Sequence, residues 1–367
     1  MGVEDGRVTG SVLWLTGAPG VGKSTAGWGL FVWARAAERA VAYVDIDQLG
    51  LLAPISEGEA GYHRIKAGNL VEVVEVFRRH GAERVIVSGI VDPVRGIAPY
   101  VGDLDVTLVR LRCTAVELRR RYLERGTSGE RVDQALEFSD LLDRNDIGVP
   151  LDITALPPEA VVDALSGRIS TAAPGNASPP TTSANGFLEP LPVLLLLGPT
   201  AVGKSAVGWE VVRTLWSRDL PAAFIDAEQL GFHPDELDPN IKAQNILRVW
   251  HGYRRAGARA LIVVARGGPE PYARVLSEEF VTTVRLDASP EELAKRIAQR
   301  ALGHGPGLAG DSLIGASAER QERIGRRADT EARTLRRNTD GIAVIETDDA
   351  DIAEIATELA DFMIEIG

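Results

Sequence analysis

The pattern G-x-x-x-x-G-K-S occurs twice in this chain of 367 residues, as Gly17-Ala-Pro-Gly-Val-Gly-Lys23-Ser24 and as Gly198-Pro-Thr-Ala-Val-Gly-Lys204-Ser205. Such a loop makes demands on both of its flanks. Its glycines let the backbone curl so that successive N–H groups point at one anion. A helix must follow, because its positive end faces the same anion. A strand must precede it. The apolar runs 12–16 and 193–197 supply the two strands. The chain is thereby confined to alternating strand and helix around a parallel sheet, twice over.

The rest of the sequence repeats in step. Lys204 stands 181 residues after Lys23, and at the same offset Gly27-Trp28 returns as Gly208-Trp209. Asp45-Ile-Asp47-Gln-Leu-Gly50 returns as Asp226-Ala-Glu228-Gln-Leu-Gly231. Ile65-Lys66-Ala-Gly-Asn69 returns as Ile241-Lys242-Ala-Gln-Asn245, and Val106 to Leu111 as Val281 to Leu286. Leu151 to Leu165 matches Ile345 to Leu359. The order of the matches predicts two tandem domains, 1–170 and 191–367. Between them 171–190, TAAPGNASPPTTSANGFLEP, is small, polar and Pro-rich and reads as a linker.

Within the first copy, strands are expected at 12–16, 41–45, 84–88, 106–111 and 151–153. Helices are expected at 24–39, 62–80 and 114–125, with a last one after the fifth strand. Thr114 with Glu117 forms a capping-box pattern; Ser289, Pro290 and Glu292 do the same in the second copy. The expected architecture is α/β: two tandem phosphate-loop domains, each a parallel five-stranded sheet with helices on both faces. Ligands of such sheets sit at the carboxyl ends of the strands.

Composition narrows the class of partner. The formal net charge of −12 disfavours a nucleic-acid partner. The single cysteine, Cys113, leaves no internal disulfide and suits a reducing cytoplasm. No signal-peptide pattern opens the chain, and apolar runs such as 193–197 are too short to cross a membrane. The five histidines show no metal-ligand spacing.

Three sets of residues carry candidate chemistry. The first is the loop itself: Gly17, Gly20, Gly22, Lys23, Ser24 and Thr25, and in the second copy Gly198, Gly203, Lys204 and Ser205. Lys23 and Lys204 are placed to reach the β and γ phosphates of a nucleoside triphosphate, and the hydroxyls of Ser24 and Ser205 to ligate Mg²⁺. The second is the acidic pair closing strand two, Asp45 and Asp47, matched by Asp226 and Glu228. A carboxylate there can hold Mg²⁺ (Asp45, Asp226) or accept the proton of an attacking hydroxyl (Asp47, Glu228). The alternative is a solvated acidic loop. The third is the arginine-rich helix after strand four, with Arg121 and Arg125 on one face and Arg296 and Arg300 in the second copy. On a mobile lid, these guanidiniums would meet the charge of a transferring phosphoryl group; the alternative is a solvated basic face. Lys66/Asn69 and Lys242/Asn245 either contact an acceptor or pair with nearby acids and cap a loop. Arg95 and Arg266, after strand three, are further candidates for holding an acceptor. Trp28 and Trp209 read as packing residues.

The succession of phosphate loop, D-x-D closing strand two and arginine-rich segment after strand four resembles the small P-loop metabolite kinases, among them shikimate, gluconate and adenylylsulfate kinases. The layout is shared over nearly all of each copy, the residues over three short motifs. The resemblance implies ATP and Mg²⁺ on Lys23 and Ser24, magnesium or acceptor contacts at Asp45 and Asp47, and phosphate contacts from Arg121 and Arg125. Strand three ends Ser88-Gly89-Ile90, without the triple glycine of shikimate kinases, and the adenylylsulfate-kinase signatures beyond the loop are absent. The acceptor is therefore not carried over. The second loop, GPTAVGKS, is also similar to that of tRNA prenyltransferases, but the rest of that copy does not match. The expectation is an ATP-binding phosphotransferase acting on a small hydroxylated or anionic metabolite. The competing expectation is an NTP-dependent regulatory switch; no N-K-x-D motif points to GTP.

Overall fold

The computed structural model describes residues 3–4, 7–8, 12–56, 58–124, 129–167, 189–234, 238–305, 308–311, 313–338 and 341–366. The chain divides into two compact units, the first from 1–50, 57–183 and 232–237, the second from 51–56, 184–231 and 238–367.

Unit 1 opens with a short antiparallel pair, β1 (Val3–Glu4) and β2 (Arg7–Val8). Its sheet comprises β3 (Val12–Thr16), β4 (Val41–Asp45), β6 (Arg84–Ser88), β7 (Val106–Arg112) and β8 (Val149–Asp152). The order across the sheet is β4-β6-β3-β7-β8, and every pairing is parallel. Helix α1 (Lys23–Ala36) follows the first loop and packs on β4 and β6 and against α5 (Pro158–Ser166). Helix α2 (Gly58–Arg79) leads into β6, and α3 (Ala115–Glu124) and α4 (Gly129–Arg144) separate β7 from β8. All five residues of β3 are buried, the mark of a strand covered on both faces.

Unit 2 repeats this order. Strands β9 (Pro192–Leu197), β10 (Ala222–Asp226), β11 (Ala260–Ala265), β12 (Phe280–Asp287) and β13 (Ala343–Glu346) lie parallel in the order β13-β12-β9-β11-β10. A sixth strand, β5 (Leu52–Ala53), adds antiparallel to the free edge of β10. Helices α6 (Lys204–Ser217), α7 (Pro239–Arg255), α8 (Glu270–Val275), α9 (Pro290–Ala301), α10 (Ala318–Asn338) and α11 (Ile352–Glu365) complete the unit. One face of the sheet (Leu194, Leu196, Ile262 and Val264) packs on Val207, Val211 and Leu215 of α6 and Leu359 and Met363 of α11. The alternate residues Val193, Leu195, Leu261 and Val263 are equally buried, so the other face is covered as well. No described helix is long and apolar enough to cross a membrane.

Two expectations need correction. The units are not the simple stretches 1–170 and 191–367. Residues 51–56 belong with the second unit, where Leu52 and Ala53 pair with Ala223 and Ala222 and the N–H of Leu51 donates to the Tyr253 hydroxyl at 2.9 Å. Phe232 belongs with the first, where its carbonyl accepts from Tyr43 N at 2.9 Å and its ring packs on Trp28. An exposed sheet edge with unpaired N–H and C=O groups accepts a strand from any sequence that reaches it, which gives the second sheet six strands where five were expected. Of the expected linker, 171–188 lies outside the described residues.

Candidate functional site

The first loop turns from β3 into α1 through Gly22, whose φ of 113° places it at the helix N-cap. Within the loop, Nζ of Lys23 donates to Ala18 O at 2.9 Å. One residue on, Ser24 Oγ donates to Oδ2 of Asp45 at 2.8 Å. Ser88, at the end of β6, donates to the same oxygen at 3.0 Å, and Asp47 N donates to Oδ1 at 3.0 Å. Parallel pairing of β4 with β6 puts Asp45 and Ser88 opposite each other, which is why strand ends distant in sequence meet here. Burial, with the adjacent Asp47 charge, raises the Asp45 carboxyl above the ordinary carboxylate range.

Asp47 points away from that cluster. Its Oδ1 lies 2.6 Å from Nζ of Lys66 on α2, and its side chain is 53% exposed. Asn69, one turn along α2, donates from Nδ2 to Leu49 O at 2.8 Å. The repeated Lys/Asn pair therefore has divided roles, the lysine holding the acid and the asparagine tying down the turn that carries it.

Unit 2 builds the same frame. Lys204 Nζ donates to Pro199 O at 2.8 Å, Ser205 Oγ to Asp226 Oδ2 at 3.0 Å, and Asn245 Nδ2 to Leu230 O at 2.8 Å. Burial raises the Asp226 carboxyl and lowers the Lys204 ammonium to about 8. The acid aligned with Asp47 differs. Oε2 of Glu228 accepts from Lys242 at 2.8 Å and also from Arg266. Burial alone would raise the Glu228 carboxyl, but Arg266 and Lys242 outweigh it and hold the group down at about 2. Arg266, a candidate from the sequence for holding an acceptor, donates from Nη2 to Glu228. Its counterpart Arg95 sits on an exposed turn whose backbone N donates to Asp92 Oδ1 at 2.9 Å.

Arg121 and Arg296 are tied to the loops rather than free on a lid. Arg121 donates from Nε to Glu117 Oε1 at 2.7 Å, from Nη1 to Val21 O at 2.6 Å and from Nη2 to Ile153 O at 3.2 Å. Arg296 repeats the arrangement with Glu292 at 2.9 Å, Val202 O at 2.7 Å and Thr347 O at 2.6 Å. A guanidinium whose fork is satisfied by fixed carbonyls is a strut of the phosphate loop. Arg300 pairs with Asp311. Arg125 lies outside the described residues.

Sequence reasoning missed the residues opposite the loop. Ile153, Thr154, Ala155, Leu156 and Pro157, following β8, form with Gly20 to Gly22, Thr25 and Arg120 the wall of a cavity of about 520 Å³. The sequence signal was present in the Thr-Ala-Leu-Pro-Pro run, but such runs mark any strand-to-helix turn. Trp28 is confirmed as a packing residue, its ring against Phe31 and Tyr43 as well as Phe232.

No family model and no curated protein matches the chain. Solved structures do, each over just under half of it. A sugar kinase from Janibacter sp. HTCC2649 is 17% identical, with 44% of this chain and 99% of that one covered at a TM-score of 0.32. A shikimate kinase from Acinetobacter baumannii, in complex with shikimate, is 16% identical over 48% of this chain and 96% of that one, at 0.28. The APS kinase of Mycobacterium tuberculosis, in complex with AMPPNP and APS, is 18% identical over 48% and 99%, at 0.31.

Proposed function

We propose that unit 1 is a Mg²⁺-dependent phosphotransferase that moves the γ-phosphoryl group of ATP to a small hydroxylated or anionic metabolite. The observation that carries this reading is the placement of two acids with separate duties. Asp45 is bonded to the loop serine at 2.8 Å, while Asp47, two residues on, is turned toward solvent on Lys66.

The donors at the loop fit the metal. Ser24 Oγ, in the first turn of α1, and Asp45 Oδ2, at the end of β4, are hard oxygens of the kind that would hold Mg²⁺. When bound, Mg²⁺ supplies charge neutralisation on the phosphate oxygens. Lys23 exchanges its bond to Ala18 O for phosphate oxygens, and the inward N–H groups of the loop bind the rest of that charge. Asp47 accepts the proton of the attacking hydroxyl, oriented by Lys66. The cavity between the loop and 153–158 takes the nucleoside, and Arg121 fixes its wall. Catalysis is then positioning and electrostatic stabilisation.

The shared strand order and the aligned motifs support descent of the two units from a duplicated domain. Lys204, Ser205 and Asp226 make unit 2 a second nucleotide site on the same grounds. The test is a titration of the chain with a non-hydrolysable ATP analogue and Mg²⁺, on the native protein and on Lys23→Ala and Lys204→Ala. Two sites, each lost in one variant, are expected. A screen of hydroxylated and anionic metabolites for stimulated ADP release follows. Undiminished binding in the double variant would overturn the assignment.

A further inference from the structure

The two phosphate loops differ at three aligned positions, Ala18/Pro199, Pro19/Thr200 and Gly20/Ala201. Pro19 in the first stands where Thr200 stands in the second. Proline has no N–H to offer. Thr200 has two donors, and both are engaged by one atom: its backbone N and its Oγ1 each lie 2.8 Å from Oε2 of Glu331 on α10. The other oxygen, Oε1, accepts from Arg327 Nε at 2.9 Å. The carboxylate is mostly covered, with 22% of the side chain exposed, and its charge acts on both Lys204 and Arg266.

A phosphate loop is shaped to collect negative charge on its backbone N–H groups. A carboxylate bonded to that loop competes with an arriving phosphate for donors, and repels it where the two do not overlap. We propose that Glu331 is a built-in anion of the second phosphate loop. It occupies the Thr200 donors and holds the affinity of unit 2 for phosphate-bearing nucleotide below that of a loop without it. This rests on the reading of that loop as a nucleotide site. Around the same loop, Glu228 is clamped by Lys242 and Arg266, so the group aligned with the unit 1 proton acceptor is tied up as well. Unit 2 is thus a nucleotide site restrained by its own side chains.

The experiment uses the full chain carrying Lys23→Ala, so that only the second site is read. It is titrated calorimetrically with a non-hydrolysable ATP analogue and Mg²⁺, with thermal melts confirming the fold of each variant. Adding Glu331→Gln, which keeps the shape and removes the charge, is expected to tighten binding by roughly tenfold or more. Glu331→Ala is expected to tighten it in the same direction. Equal or weaker binding in both would overturn the proposal and make Glu331 a mere brace of the loop. Lys204→Ala separates this from the underlying reading. Binding that survives Lys204→Ala unchanged would mean that the second loop is not the nucleotide site. Binding lost in Lys204→Ala yet indifferent to Glu331 would sink the restraint alone.

Discussion

Oδ1 of Asp47 lies 2.6 Å from Nζ of Lys66, and Gly50 is what allows the approach. A Cβ at Gly50 would stand 2.5 Å from Cγ and Cε of Lys66, so the lysine stem lies directly across the glycine; Gly231 and Lys242 repeat the relationship. Gly50 has a φ of −129°, so alanine there strains little backbone. Gly50→Ala is expected to push Lys66 aside and leave Asp47 poorly oriented. Phosphoryl transfer by unit 1 should fall by about tenfold, with nucleotide affinity within roughly twofold. Steady-state kinetics beside calorimetry would show the split, and a loss confined to nucleotide affinity would contradict it.

Asp47→Asn keeps the shape of the side chain and removes its capacity to take a proton. Transfer should fall by about 10²- to 10⁴-fold, the usual worth of a positioned base. Binding of an ATP analogue should be nearly unchanged, because Asp45 and Ser24 remain in place. An unaltered single-turnover rate would remove Asp47 from the mechanism.

What could be read from the sequence divides along physical lines. Strands 12–16, 41–45 and 84–88 were placed residue for residue, because a strand buried on both faces is a continuous apolar run with sharp ends. The fifth strand was expected at 151–153 and lies at Val149–Asp152, an edge strand with mostly exposed side chains and a proline, where hydrophobic pattern says little. The pairing of Leu52–Ala53 with β10 was invisible, since two apolar residues after Gly50 carry no period and the partner lies some 170 residues away. The arginines were read as residues of a mobile lid. Their attachment to Val21 O and Val202 O was not legible, because backbone carbonyls leave no mark in a sequence. Glu331 was missed for a related reason: only the fold brings it to Thr200.

Asp45→Asn should separate stability from activity. The carboxylate is desolvated, and its raised pKa means that the ionised form is disfavoured in the folded protein. Asparagine keeps the acceptor for Asp47 N, and its Nδ2, in place of Oδ2, can donate to the Ser24 and Ser88 oxygens once those hydroxyls turn. The variant is expected to gain about 1 kcal/mol, or roughly 2–4 °C in Tm for a unit of this size. The Mg²⁺ concentration needed for half-maximal transfer should rise on the order of tenfold or more. A lowered Tm in differential scanning calorimetry would show that the charge itself holds the strand ends together.

The two loops also differ in backbone cost. Gly20 has a φ of 80°, and its counterpart Ala201 has a φ of 67°. The left-handed region costs a residue with a Cβ about 1–2 kcal/mol, so the second loop carries strain that the first does not. Ala201→Gly should therefore stabilise unit 2 by ~1 kcal/mol, part of the relief being offset by the larger freedom of glycine in the unfolded chain. The reverse change in unit 1 should do more harm than this relief is worth. A Cβ on Gly20 would stand 2.3 Å from the ring of Tyr122, which adds a collision to the strain. Urea unfolding of Gly20→Ala and Ala201→Gly should move the midpoints in opposite directions, the first by the larger amount. Equal and small shifts would mean that both loops relax, and that neither is held in the shape a phosphate requires.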